Sequence, residues 1–230
     1  MKKTVNKLDP RLVPNYGFAE AARYLDLPYC TVRSWAKGMG EFKAVIELPD
    51  ASVPQLSFVN LVEMYVLGAI RRTHRISMPR ARKAIEYAEH ELKIKHPLAE
   101  LDFRTDKKDL FINFLDRLVD VSGKQGQVEI REVVELYLLR IERKGRFAVR
   151  LFPFARSGLD PAEIKDQPRN IVIDPKIAFG RPVILGTGIQ TRAIAERFKA
   201  GETMRELASD FSCKIDLVEE AIRYEQPAAA

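Results

Sequence analysis

Cysteine is nearly absent: Cys30 and Cys213 are the only two in 230 residues, far apart and in unrelated contexts. A disulfide framework is therefore not expected, and two free thiols suit a reducing cytoplasm. Histidine is as sparse, with His74, His90 and His96 alone. They form neither His-Glu-x-x-His nor a Cys/His metal spacing. No apolar run reaches the roughly 18 residues of a membrane-spanning helix. The opening MKKTVNKLDP has basic residues but no apolar stretch after them, so it is not a secretory signal. Gly-Thr-Gly at 186–188 lacks the downstream Gly-Lys-Ser/Thr of a phosphate loop, and its glycines read as turn formers. Asp102, Asp106 and Asp109 imitate a magnesium nuclease cluster, but two of them flank a lysine turn and read as solvated surface. No catalytic constellation emerges. The expectation is a cytoplasmic protein that is not an enzyme and holds no metal or cofactor.

What is present is ordinary in bulk and uneven in place. Hydrophobic residues make up 46% and charged residues 30%, as in a soluble globular protein of one large or two small domains. The net charge is +6. Residues 1–95 hold 16 Lys and Arg against 10 Asp and Glu, while the remainder holds 22 of each. The whole excess thus lies in the N-terminal part, the footprint of a polyanionic partner or an aid to solubility.

That part contains Tyr16 to Lys37, YGFAEAARYLDLPYCTVRSWAK. Phe18 to Leu25 reads as a helix with Ala19, Ala22 and Leu25 on one face. Asp26-Leu27-Pro28 interrupts it, because proline cannot continue a helix and displaces the residue before it. Tyr29 to Lys37 reads as a second helix that buries Val32, Trp35 and Ala36. Trp35 is expected as a core anchor. Two short helices across a tight turn are a helix-turn-helix. The second helix offers Tyr29, Thr31, Arg33, Ser34 and Lys37 to phosphates and base edges.

Residues 1–15 read as an arm, with basic residues interleaved with Pro10 and Pro14. Gly38-Met39-Gly40 closes the second helix. Lys43 to Leu48 and Gln55 to Phe58 are expected as the strands of a wing, with Lys43 at its base as a further DNA contact. Ser57 caps a helix from Phe58 to Thr73 with apolar residues at i, i+3, i+4 spacing. Ser77 and Pro79 begin another helix, faced by Ile85, Ala88 and Leu92. His90 and His96 are expected as solvated helix-end residues. Further on, strands are expected at Leu101 to Thr105, Leu110 to Phe114 and Val119 to Val121. A helix follows from Ile130 to Arg143. A strand over Arg146 to Phe154 places Phe147, Val149 and Leu151 on one side and Arg146, Ala148 and Arg150 on the other.

After a polar connector at 155–168, Ile171 to Pro175 is a strand running into a turn. Phe179 to Gly188 reads as a glycine-punctuated hairpin. Thr191, Thr203 and Asp216 cap three helices, ending near Lys199, Phe211 and Tyr224. The last two form a possible second helix-turn-helix, whose acidic final helix suits a protein partner better than a DNA groove. Arg181 suits either an anion or nearby carbonyls.

The fold expected is mainly α with small β elements, an α+β chain. Residues 1–95 form the winged helix-turn-helix domain, 96–160 a mixed α/β connector or dimerisation region, and 168–226 the hairpin with three helices. The order of elements over 16–95 resembles the winged regulators typified by MerR. The tail resembles domain of unknown function 433 at Asp174, Pro175, Gly180, Arg181, Pro182, Gly186, Thr187, Ala200 and Gly201. It departs from that family at Gly188, where arginine is usual. With LSFVNLVEMYVLGAIRR, LDFRTDKKDLFI and RLFPF, the full layout looks like VapB-type antitoxins. That resemblance implies an antitoxin that silences a toxin and represses its own operon, and the chain is expected to act as a homodimer. Its partners would be double-stranded operator DNA and a PIN-like ribonuclease toxin, the protein partner meeting Arg181, Thr187 and Arg192. The alternatives are a MerR-like regulator responding to a small molecule and an interaction scaffold with no DNA role.

Overall fold

The computed structural model describes residues 9–74, 77–91, 93–100, 135–154 and 167–226. The expected strands between 101 and 121, the start of the helix at 130, most of the arm and most of the polar connector lie outside the described residues.

The chain begins with β1 (Tyr16–Gly17), α1 (Phe18–Leu25) and α2 (Tyr29–Lys37), then β2 (Gln55–Leu56), α3 (Phe58–His74), α4 (Met78–His90) and α5 (Pro97–Glu100). Residues 135–139 are helical. A hairpin follows, β3 (Ile141–Lys144) with β4 (Phe147–Leu151). The C-terminal part comprises β5 (Ile171–Val172), β6 (Val183–Ile184), α6 (Thr191–Lys199), α7 (Met204–Asp210) and α8 (Ile215–Glu225). The architecture is α+β, with helices joined by two-stranded antiparallel pairs.

The helix α3 is the centre of the larger core. Every residue from Leu56 to Ile70 is buried. The sequence suggests one apolar face, but from Phe58 to Ile70 the helix is enclosed all round. Its few polar residues are satisfied internally. Asn60 N–H donates to Ser57 Oγ (3.2 Å), and Ser57 N–H donates to Asn60 Oδ1 (3.1 Å), a reciprocal cap. Asn60 Nδ2 also donates to the Glu47 carbonyl and to Glu63. Glu63 in turn faces His96 Nδ1 at 3.3 Å. His96 is thus paired and largely enclosed, not solvated as expected.

On one side α3 meets α1 and β2; on another it meets α5 and β4. Tyr65 stacks near Tyr137 (ring centroids 5.1 Å apart) and Phe154 (6.1 Å). Residues 137–151 therefore belong to the same apolar cluster as the helix-turn-helix. A second cluster joins β5, β6 and the three C-terminal helices. Reciprocal backbone bonds between Leu151 and Ile173 link the two regions.

Several expected elements take a different form. Gln55–Leu56 pairs with Tyr16–Gly17, and residues 43–48 form no strand. The chain there is instead turned inward by the Trp35 carbonyl, which accepts from the N–H groups of both Val45 and Ile46. The helix expected to reach Arg143 ends at residue 139, and Ile141 opens β3. Arg140 sits at that break, its buried guanidinium donating to the carbonyls of Phe152, Pro153, Gln167 and Pro168. In the β3–β4 hairpin the register shifts after Glu142–Arg150, so that Arg143 faces Ala148. The extra residue on β4 breaks the period-two alternation. Ala148 and Leu151 are buried while Phe147 is exposed, against the expected grouping.

In the tail, β5 pairs with β6, and a second short turn brings Val183 opposite Gln190. Thr203 caps α7 in a full capping box with Glu206, as its spacing with that residue allows. Thr191 and Asp216 cap nothing. Gln190 and Lys214 hold those positions, and the Thr191 hydroxyl donates to Glu225 at 2.6 Å instead.

Candidate nucleic-acid interface

The helix pair forms as its sequence requires. Asp26 adopts a left-handed conformation (φ 49°), and Leu27 N–H returns to the Ala22 carbonyl at 2.9 Å. Pro28 precedes α2 with extended backbone angles that start a helix without a wasted donor. Val32, Trp35 and Ala36 are buried beneath α2, so Trp35 is a core residue.

The opposite face of α2 is open. Tyr29, Arg33 and Lys37 are exposed and four residues apart, so they form one stripe along the helix. Thr31 and Ser34 are half-buried, and Ser34 Oγ donates to the Thr31 carbonyl at 2.9 Å. Lys43 stands exposed beyond the helix end. Four of the six residues expected to meet DNA thus face solvent on or beside one helix, and two are set back from it.

Beyond α2 lies a feature that the sequence reading passes over. Gly38 has φ 79°, and a Cβ there would come within 2.4 Å of the Phe42 carbonyl oxygen. Only glycine permits the chain to fold back so closely. Met39 and Phe42 then exchange two backbone hydrogen bonds of 3.0 Å, with Gly40 at φ 58° on the first central position. This is a two-residue hairpin turn of the kind that places glycine first. The Gly-x-Gly spacing beside two apolar residues is the signal that would have found it. Arg82, near the start of α4, reaches toward the Ala44 carbonyl at 3.5 Å, and Lys37 toward that of Ala51 at 3.5 Å.

The C-terminal unit docks on α1, the helix that supports α2. Tyr224 O–H donates to the Tyr24 carbonyl at 2.9 Å. Arg23 pairs with Glu225 at 3.3 Å, and Arg181 pairs with Glu20. Asn15 Nδ2 donates to the Phe179 carbonyl at 2.8 Å. Gly180 lies so close to Tyr16 that a Cβ would meet its hydroxyl at 2.2 Å. Burial and the hydrogen bond to Glu20 push the Tyr24 hydroxyl up to about 12.

A cleft of about 140 Å³ lies in this seam, lined by Glu20, Arg23, Arg181, Thr191, Arg192 and Glu225 among others. Its arginines face carboxylates: Arg181 meets Glu20, Arg23 meets Glu225, and exposed Arg192 donates to Glu196 at 2.6 Å. The Thr187 hydroxyl donates to the Ile184 carbonyl and accepts from Ile189 N–H, so it shapes a turn. The three residues expected to meet a protein partner therefore have internal partners, and Arg181 joins two parts of the chain. A buried arginine bonded to several carbonyls is found instead at Arg140.

The motif residues of the tail have visible work. The buried Asp174 carboxylate accepts from Arg150 Nε at 2.8 Å and from Lys176 N–H at 2.9 Å, which sets the turn after β5. Ala178, Phe179 and Gly180 then all have positive φ. Left-handed backbone at two non-glycine residues costs about 1–2 kcal/mol each, so this turn depends on its surrounding contacts.

Residues 14–85 match the family described as "Putative DNA-binding HTH domain". Residues 171–224 match "Protein of unknown function (DUF433)". Over 233 aligned residues the chain is 28% identical to "Putative antitoxin VapB45" of Mycobacterium tuberculosis (strain ATCC 25618 / H37Rv), covering 91% of this chain and 93% of that protein. It is 22% identical over 218 residues to "Uncharacterized protein Rv2308" of the same organism, covering 91% and 89%. The crystal structure of Rv2018 from Mycobacterium tuberculosis superposes with a TM-score of 0.68 at 27% identity, covering 91% of this chain and 98% of that one. The chain thus carries a helix-turn-helix family match at one end and DUF433 at the other, in the layout of a protein named as an antitoxin.

Proposed function

We propose that this protein is an antitoxin that also binds the DNA of its own operon. The stripe of Tyr29, Arg33 and Lys37 on the open face of α2 carries the DNA reading, since the opposite face is buried and these three side chains are exposed. Lys43 and the basic residues at the start of α4 add phosphate contacts beside it. The excess of basic residues in the N-terminal part agrees in sign. The similarity to a protein named as an antitoxin supports the second half of the reading.

In this reading residues 1–95 supply DNA recognition and 168–226 supply the surface for a PIN-like ribonuclease toxin. A homodimer would place two α2 helices about 34 Å apart, matched to a palindromic operator. A fluorescence anisotropy titration of the full chain against duplex DNA from upstream of its own coding sequence tests the DNA half. Tight binding that weakens steeply with salt is the expected result. Binding no different from that to an unrelated duplex would remove the repressor reading. Inhibition of a co-expressed PIN-like ribonuclease, or its absence, decides the antitoxin half.

A further inference from the structure

The turn after α2 has a construction that groove contacts by α2 do not explain. Met39 and Phe42 are 70% and 62% exposed, two large apolar side chains side by side in solvent. They oppose one another across the turn as a pair that exchanges both backbone hydrogen bonds, so their side chains project from the same face. Gly38 lets the turn fold against the helix end, and the Trp35 carbonyl holds Val45 and Ile46 just after it. A fixed apolar ridge is costly to leave in water and is unsuited to lying along phosphates.

Three cations lie beside the turn, while the acids Glu47 and Asp50 follow later in the loop. Lys37 and Lys43 bracket the turn in sequence, and Arg82 reaches its far side through Ala44. Glu41, at the tip, is the one acid within the turn, and it disfavours an approach flat against the phosphate backbone. An edge-on approach, with Met39 and Phe42 leading and the cations on the flanking phosphates, satisfies both features. Proteins that kink DNA use phenylalanine and methionine in this way, as wedges pressed between base steps from the minor groove.

We propose that Met39 and Phe42 form such a wedge, entering the minor groove next to the major-groove segment held by α2 and kinking the duplex. The inference rests on the DNA-binding reading above. It adds a contact that reads deformability of a base step and not its hydrogen-bonding edge.

The test uses the full chain and duplex DNA from upstream of its own coding sequence. 2-Aminopurine is placed at successive steps, and end-to-end energy transfer reports bending. Wild type should raise 2-aminopurine fluorescence at one step per bound α2 and bend the duplex by roughly 20–90°. Met39→Ala/Phe42→Ala should keep salt-dependent binding but lose both signals. Phe42→Leu, which keeps an apolar wedge, should retain them. An unbent, fully stacked duplex under bound wild type would overturn the wedge while leaving DNA binding intact. So would unchanged signals in the double variant, or a double variant that turns dimer into monomer without altering the bend. Absence of wild-type binding at low salt would instead remove the DNA reading itself, and the wedge with it.

Discussion

The hydroxyl of Tyr224 donates a 2.9 Å hydrogen bond to the backbone carbonyl of Tyr24, two hundred residues earlier in the chain. The last helix is thereby fastened to the first helix of the helix-turn-helix. The Tyr224 ring is buried, and burial raises its hydroxyl well above the usual tyrosine range, so the group remains a neutral donor. Tyr224→Phe should lower stability by about 1–3 kcal/mol, because the Tyr24 carbonyl loses its partner without gaining water. Urea unfolding of the full chain would measure it, and a loss below a few tenths of a kcal/mol would show that water replaces the hydroxyl.

On the proposed DNA reading, Arg33 and Lys37 would make two kinds of contact. If Arg33 reads a base, Arg33→Ala should cost about 1–3 kcal/mol of operator affinity and relax preference at one position. Lys37→Ala should weaken all duplexes alike and reduce the salt slope by about one. Competition binding with single-base operator variants would separate the two, and an unaltered affinity for Arg33→Ala would remove it from the interface.

Gly38 and Gly40 both have positive φ, but their surroundings differ. At Gly40 a methyl group meets nothing within 4 Å, so Gly40→Ala should cost only the backbone strain, about 1–2 kcal/mol. At Gly38 it would collide with backbone, and Gly38→Ala should cost more and also unseat the turn. Thermal unfolding of the two variants would check the order.

His96 carries a pH dependence. The hydrogen bond to Glu63 raises the His96 pKa above its ordinary value near 6.5. The folded state then holds the proton more tightly than the unfolded chain does. The stabilisation is complete below about pH 6.5 and is lost as pH rises through the raised folded value. Glu100 and Lys95 also act on His96, and Glu89 lies near Glu63. Melting temperature measured from pH 5 to 9 should fall over that window in wild type, and His96→Gln should flatten the fall.

Local rules read much of this fold correctly. The bounds of α1 and α2 follow from Pro28 and Gly38, and the Thr203–Glu206 capping box from its spacing. What the residues could not disclose depends on distant partners. Gln55–Leu56 has strand character, but nothing nearby in sequence reveals that Tyr16–Gly17 is its mate. Periodicity groups Phe147 with Leu151, but a one-residue register shift buries Ala148 with Leu151 instead. His96 seemed a helix-end residue because Glu63 is thirty-three positions away. The open stripe of Tyr29, Arg33 and Lys37 was legible from helical spacing. The ridge of Met39 and Phe42 was not, because its meaning depends on how closely the chain doubles back at Gly38.

The helix α3 is enclosed by the helix-turn-helix on one side and by Tyr137, Phe154 and β4 on another. A gene fusion that joined some other module after α4 would leave half of α3 bare to water. An exchange of the N-terminal part is therefore expected to succeed only together with the residues around 137–154. Divergence among relatives is then expected to proceed by compensating changes across α3, with substitutions at Tyr65 tracking those at Tyr137 and Phe154.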